Sequence, residues 1–275
     1  MKLPEGVILL DSLGDIYPDN SSPILVCASH CGDNGTFARK LKKCGVKAVF
    51  LNNAGIGKNQ AGISGLPFYD SEGILACAVD HFSAEIGVAA DTWESGIISY
   101  TNSLAEEAGI RVGDSVQNAV VKILPVIHQL TSIQHTTVVE SSNVNKNHQK
   151  LFQIEIVGKI ITVADSITFL AEDNKGDILV CGSHGGVSAG HYAMKHQLKA
   201  VFFNDAGIGK NNAGIKCLDS LSEAGILACT VDCMSAEIFN GQDMLENGII
   251  TVCNQLAKSK NIKEKITVKE AIELI

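Results

Sequence analysis

Aromatic residues are scarce in this chain, at 5%, and there is one tryptophan. Proteins that hold nucleic acid strands stack bases on aromatic side chains set among basic ones. Neither that interleaving nor a basic stripe occurs here, and the net charge is −8, so a nucleic acid is not an expected partner. Long apolar runs are also missing. None approaches the roughly 20 residues that a membrane-spanning helix needs, so no membrane partner is expected. Met1-Lys-Leu-Pro-Glu5 lacks the basic region and apolar core of a secretory signal, so none is expected. Disulfide patterning is absent too: the nine cysteines are an odd number, and Cys27, Cys77, Cys181 and Cys229 sit inside apolar runs. They read as small buried hydrophobes of a reduced, cytoplasmic protein. What the chain does have is apolar content, 45% against 19% charged, which is ample for a core. Its 275 residues allow one large domain or two small ones. The composition permits a homo-oligomer without fixing its symmetry.

The chain repeats itself. Ile178-Leu-Val-Cys-Gly-Ser-His-Gly-Gly186 answers to Ile24-Leu-Val-Cys-Ala-Ser-His-Cys-Gly32, and Ala200-Val-Phe-Phe-Asn-Asp-Ala-Gly-Ile-Gly-Lys-Asn211 to Ala48-Val-Phe-Leu-Asn-Asn-Ala-Gly-Ile-Gly-Lys-Asn59. His30 pairs with His184, Gly55 with Gly207, Asp80 with Asp232 and Glu85 with Glu237, with two extra residues in the first copy between the two phrases, assigned to its helix. Asp11-Ser12 pairs with Asp165-Ser166 upstream. The expected organisation is a first repeat over 1–125, a linker over 126–149 with a polar, turn-rich middle at 141–148, and a second repeat over 150–275.

Within each repeat, short apolar runs alternate with segments of helical spacing. Runs at 6–10, 24–27, 47–51 and 73–79 read as strands; 35–44 reads as a helix stopped at Gly45, and 98–108 and 116–123 as closing helices. That alternation implies an α/β fold with mostly parallel sheets and right-handed crossovers. The expected architecture is a tandem duplication of a Rossmann-like unit, as two lobes related by a pseudo-two-fold axis.

Each expected strand ends in polar residues: Asp165-Ser166, Ser183-His184-Gly185-Gly186, Asn204-Asp205 and Asp232-Cys233 in the second copy, and Asp11-Ser12, Ser29-His30, Asn52-Asn53 and Asp80-His81 in the first. The carboxyl ends of parallel strands form the ligand edge of such sheets. Taken singly, Asp or Ser after a strand is an ordinary turn or cap residue. A histidine flanked by serine and glycine, placed twice in one frame, points further, because its ordinary pKa suits proton transfer near neutrality. His184 and His30 are therefore candidate acid–base groups, with Asp232, Asp205 and Asp80 to orient them or activate water. The loops Gly55-Ile-Gly57-Lys58 and Gly207-Ile-Gly209-Lys210-Asn211 would cradle an anionic ligand group with backbone N–H groups and a lysine charge. They do not form a P-loop: Asn52 stands where its first glycine belongs and Asn59 where Ser or Thr would bind magnesium.

Other arrangements bear on the chemistry. A strand ending in Ser183-His184-Gly185 and a later one ending in Asp232-Cys233 resembles the caspase-like arrangement of cysteine proteases, which makes Cys233 a candidate nucleophile beside His184. The Gln-Ala-Cys-x-Gly signature of that family is absent, and a further strand, Ala200 to Asn204, intervenes. Leu51-Asn-Asn-Ala-Gly55 resembles a motif of short-chain dehydrogenases, but the Tyr-x-x-x-Lys of that family is missing, Tyr192 being followed at that spacing by His196. His30, Asp80, His81 and Glu85, with their counterparts, contain ligand types for a divalent metal, at no known zinc spacing. The expected function is that of a small-molecule enzyme, a hydrolase using His/Asp acid–base chemistry. The alternatives are a non-enzymatic, nucleotide-like ligand-binding or sensor protein, and a caspase-like cysteine hydrolase.

Overall fold

The apolar runs become central strands because helices cover both of their faces. In the computed structural model, residues 3–133 and 150–275 are described, with side chains over 3–127 and 150–275. The first lobe comprises β1 (Val7–Leu10), β2 (Ile24–His30), α1 (Thr36–Lys43), β3 (Ala48–Asn52), α2 (Leu66–Ser71), β4 (Leu75–Val79), α3 (Ala89–Ser95), β5 (Ile98–Thr101), α4 (Ser103–Glu107) and α5 (Val116–Ile133). The second comprises β6 (Leu151–Ile156), β7 (Lys159–Ala164), β8 (Ile178–His184), α6 (Val187–Lys195), β9 (Ala200–Asn204), α7 (Leu218–Glu223), β10 (Leu227–Val231), α8 (Gly241–Asn247), β11 (Ile250–Cys253), α9 (Gln255–Ser259) and α10 (Val268–Glu273).

Successive strand side chains point to opposite faces, so a strand covered on both sides needs an apolar residue at nearly every position. In β2, Leu25 and Cys27 pack with Phe37 and Leu41 of α1, while Ile24 and Val26 pack with Trp93 of α3 and Val120 of α5. In β8, Leu179 and Cys181 pack with Ala189 and Ala193 of α6, and Ile178 and Val180 with Met244 of α8. Truncating one such side chain, as in Leu41→Ala, costs about 2–5 kcal/mol.

The first sheet runs β1-β2-β3-β4-β5 and the second β11-β10-β9-β8-β7-β6. β1 to β4 are mutually parallel, as are β7 to β10, and β5 and β11 close their sheets antiparallel. The fold is α/β, in two lobes. Strand order follows chain order, so neither lobe contains the reversal of order that creates the Rossmann crevice. Any site has to come from elsewhere.

Two expectations need correction. Residues 98–108 are not one helix: Gly96 ends α3, and Ile98 to Thr101 pair antiparallel with Val79 to Cys77. β-branched residues directly after a chain reversal favour the extended form, and the open edge of β4 receives them. Helical spacing holds only from Ser103 onward. The extra residues of the first copy lie in a loop rather than in its helix: residues 31–35 separate His30 from α1, whereas only Gly185 and Gly186 separate His184 from α6. Beyond these corrections, β6 adds an outer hairpin strand, turning at Val157 and Gly158 with φ of 50° and 71°, the left-handed pair that a tight hairpin requires. α5 continues past residue 125 to Ile133, and the polar stretch 141–148 lies outside the described residues. Among the described residues, no helix is long and apolar enough to cross a membrane.

Candidate functional site

The carboxyl ends of the two sets of parallel strands face each other. His30 closes β2 and His184 closes β8, and their rings meet edge to face with centroids 6.4 Å apart. The turns after β3 and β9 also touch: a Cβ on Gly55 would lie 2.8 Å from the Gly207 Cα, and one on Gly207 equally close to the Gly55 Cα. The site is therefore composite, built across the junction of the lobes.

Between the histidines lies a cavity of about 30 Å³, room for a water or a single functional group. Both lobes line it with matched residues: Ser12 and Ser166, Ser29 and Ser183, His30 and His184, Phe37 and Ala189. Leu13 and Ile167, Gly14 and Thr168, Ser188 and Tyr192 complete it, and no Asp, Glu, Lys or Arg takes part. Ser29 and Ser183 accept backbone N–H bonds from Leu13 and Ile167, at 2.9 and 3.0 Å, and so fasten the turns after β1 and β7. Asp165, buried, accepts from Gly241 N and caps α8 as Asp11 caps α3 through Ala89 N. Burial pushes the Asp165 carboxyl above its usual range, against the hydrogen bond from Gly241.

Both histidines are buried and held neutral. Burial pushes His30 down to about 4, partly offset by the Gly32 backbone. Burial and the neighbouring His30 push His184 down to about 3. Their chemistry differs. His184 Nδ1 accepts from Gly186 N at 3.0 Å, which leaves the ring proton on Nε2 as a donor. His30 Nδ1 is buried beside the Gly32 backbone without the geometry of a hydrogen bond, so its tautomer is left open. Gly185 and Gly186 are glycines for want of space: a Cβ would lie 2.6 Å from Gly214 O and from His184 Nδ1 respectively.

The glycine loops do something else: they lock the lobes together. Lys58 Nζ meets both carboxylate oxygens of Asp243 at 2.7 and 2.9 Å, and Lys210 Nζ meets those of Asp91 at the same distances. Asn59 donates to Glu237 and Asn211 to Glu85, both at 2.7 Å. Lys58 N donates to Cys233 O, and Lys210 N to His81 O. Each of these contacts has its counterpart from the other lobe. Gly57 and Gly209 permit the approach, since a Cβ there would lie 2.9 and 2.8 Å from those same carbonyl oxygens. Ala54, Ile56, Ala206 and Ile208 hold left-handed φ of 49° to 65° in these turns, each at a cost of about 1 kcal/mol. The cross-lobe bonds offset that strain. Both lysine charges are engaged with carboxylates, which leaves an anionic ligand without the counter-charge expected of these loops.

The remaining candidates gather at the strand ends beside these loops. Asn52 and Asn204 are fully buried clips, donating to Ala84 O and Ala236 O and accepting from Ala54 N and Ala206 N. Asp205 Oδ1 accepts from Gly207 N and Cys233 N, as Asn53 Oδ1 does from Gly55 N and His81 N. Asp80 and Asp232 start turns by accepting from Phe82 N and Met234 N. His81 Nδ1 lies 3.2 Å from Asp80 Oδ1 without the geometry of a hydrogen bond. Asp205, Asp232 and Cys233 bring ligand-type atoms within 4.8 Å of one another, but burial and the two carboxylates push the Cys233 thiol up to about 12. It is a protonated thiol at neutral pH, and a weak nucleophile. Among the described residues, no hydrogen bond or ring contact joins His184 to Asp205, Asp232 or Cys233, and Glu85 and Glu237 belong to the cross-lobe lock. The structure thus divides the candidates into a histidine cavity and a ring of loop clips.

Sequence reasoning missed Tyr192, whose hydroxyl donates to Asp15 Oδ1 of the other lobe at 2.6 Å. It also missed Phe37, Phe169 and Phe239, which cluster beside His30. Comparing the two copies position by position would have found the phenylalanines, as none has an aromatic counterpart. No family model matches the chain, and no curated protein or solved structure matches it.

Proposed function

We propose that the protein is a small-molecule hydrolase whose reaction centre is the histidine cavity. The observation that carries this reading is the pair of neutral imidazoles, one fixed as a donor and one with an unpartnered nitrogen, in a cavity lined by hydroxyls and no charged group. A buried site without charge favours a neutral polar group, because an ion would lose its hydration with no compensating partner. The substrate class is then a small ester, amide or lactone. His184 Nε2–H donates to the carbonyl oxygen, stabilising the charge that develops there. His30 takes a proton from the attacking water and returns it to the leaving group. The cavity admits the reacting group alone, so the rest of the substrate lies outside it.

The test is a panel of small esters, amides and lactones, assayed with the wild type, His30→Asn and His184→Asn. His30→Asn should lose turnover and keep ligand-induced thermal stabilisation. The acid limb of turnover should lie near 4 rather than near the ordinary value of about 6.5. Stabilisation by a ligand without turnover in the wild type would instead mark a binding protein, a reading that the low basicity of both imidazoles favours. Turnover unaffected by either substitution would remove the site assignment.

A further inference from the structure

The two sides of the histidine cavity should be alike if the lobes are alike, and they differ at three matched positions. Phe239 and Gly87 each donate a backbone N–H to the residue two before the histidine strand end, Gly182 O and Ala28 O. Phe169 and Asp15 each close the short 3-10 turn after the first parallel strand. Phe37 and Ala189 occupy the first turns of α1 and α6 and line the cavity from opposite sides. On the His30 side all three positions are phenylalanine, packed against one another, and Phe239 packs against His30 with a centroid distance of 5.6 Å. On the His184 side they are glycine, aspartate and alanine. There a hollow of about 300 Å³ opens, lined by Asp11, Asp15, Gly87, His191, Tyr192 and Lys195 among others.

Ser188 and Tyr192 line both that hollow and the histidine cavity. A Cβ on Gly87 would lie 3.2 Å from Ser188 Oγ and 3.5 Å from His184 Cε1, so a side chain there would stand between the two spaces. The matched hollow on the other side, about 220 Å³ and bordered by Asp165 and Phe239, shares no lining residue with the histidine cavity. From this asymmetry we infer that ligands reach the histidine pair from one side only, through the Gly87 mouth, and that this mouth takes a small molecule with a neutral head and a cationic tail. The head goes to the uncharged cavity lined by His30 and His184. The tail stays at the mouth, where the carboxylates of Asp11 and Asp15 outnumber the Lys195 ammonium. The class is thus a small ester, amide or alcohol bearing an amine. This rests on the proposed function for the identity of the head, and not for the route.

The route can be read without turnover. Ser29→Cys places a thiol in the histidine cavity, and methyl methanethiosulfonate, small and neutral, probes it; methylthiolation forms the mixed disulfide and releases methanesulfinate. Peptide mass mapping separates this thiol from the nine native ones. Labelling should proceed in Ser29→Cys, vanish when Gly87→Phe is added, and return when Phe239→Gly is added to that double variant. A phenylalanine with positive φ already exists at the matched position, Phe239 at 61°, and thermal melts report whether each variant is folded. Should Gly87→Phe fail to fold, Ala189→Phe closes the same mouth from α6. For the tail, Ser188→Cys should react faster with the aminoethyl than with the sulfonatoethyl reagent, the ratio shrinking as salt is raised. No labelling of Ser29→Cys, labelling that survives the closed mouth, or equal rates for the two charged reagents would each overturn the inference. Labelling as expected with no hydrolysis of any substrate would leave the mouth standing and the hydrolase reading refuted.

Discussion

Neutralising one cross-lobe carboxylate should weaken the whole fold by an amount set by how deeply the pair is buried. In Asp91→Asn, the group that receives Lys210 Nζ at 2.7 and 2.9 Å loses its charge, while an amide oxygen remains to accept the Glu85 N–H now bound at 2.7 Å. Fully exposed pairs are worth about 0.2–1 kcal/mol, and removing one partner of a fully buried pair costs about 3–5 kcal/mol. With side chains 26% and 21% exposed, the Lys210–Asp91 pair lies between these, and the expected loss is about 1–3 kcal/mol. Asp91→Ala should cost about 1 kcal/mol more, because it also strips the Glu85 N–H of its acceptor. Trp93 stands two residues away in the same helix and is 7% exposed, so its fluorescence reports urea unfolding directly. The midpoint should fall with the slope unchanged. A double-mutant cycle with Lys210→Met should return a coupling of at least about 0.5 kcal/mol. The Lys58–Asp243 pair, with the same distances, should return the same. The pH dependence has a definite sign. Burial raises the Asp91 and Asp243 carboxyls, but the hydrogen bonds from Lys210 and Lys58, those from the Glu85 and Glu237 backbone N–H groups and the lysine charges together outweigh it and hold both below their usual range. Their contribution is present above the unfolded value of about 3.9 and lost as pH falls through the lower folded values. A midpoint indistinguishable from wild type in Asp91→Asn, with no coupling in either cycle, would refute the lock.

Gly55→Ala should cost more than about 2 kcal/mol, since its methyl meets the Gly207 Cα at 2.8 Å; Gly45→Ala, at a similar φ of 78° with nothing within 4 Å, should cost only about 1 kcal/mol. Equal losses by urea titration would show that the lobes do not meet at Gly55. Stability should fall on acidification from about pH 6.5, because the unfolded histidines take protons that folded His30 and His184 refuse, each adding up to about 1.4 kcal/mol per pH unit. The buried carboxyls Asp33, Asp165 and Asp205, raised by burial, work in the opposite sense at lower pH. The histidine part is therefore measured as the difference between wild type and His30→Asn, whose unfolding free energy should vary less between about pH 7 and pH 5; an unchanged slope would mean that His30 titrates normally.

Much of the frame was legible because it is local. An apolar residue at every position of Ile24 to Cys27 announces a strand covered on both faces. The cross-lobe partners were not legible. Lys58 finds Asp243 and Lys210 finds Asp91 across the junction, and no spacing in the chain reports that; taken alone, each lysine after a glycine turn looks like an anion ligand. β5 was lost for a related reason. Four residues carry too little periodicity to distinguish strand from helix, and the deciding influence is the open edge of β4, which is tertiary. Whether Asp205 faces His184 or its own turn depends on side-chain direction, which the run of residues leaves open.

The neutrality of the paired histidines is what the account depends on most. An imidazole ¹H–¹⁵N spectrum of the ¹⁵N-histidine-labelled protein, followed from about pH 8 to about pH 5, resolves charge and tautomer at each ring. His30 and His184 should stay neutral throughout that range, with the His184 proton on Nε2. Titration of either ring near its ordinary value of about 6.5 would contradict it.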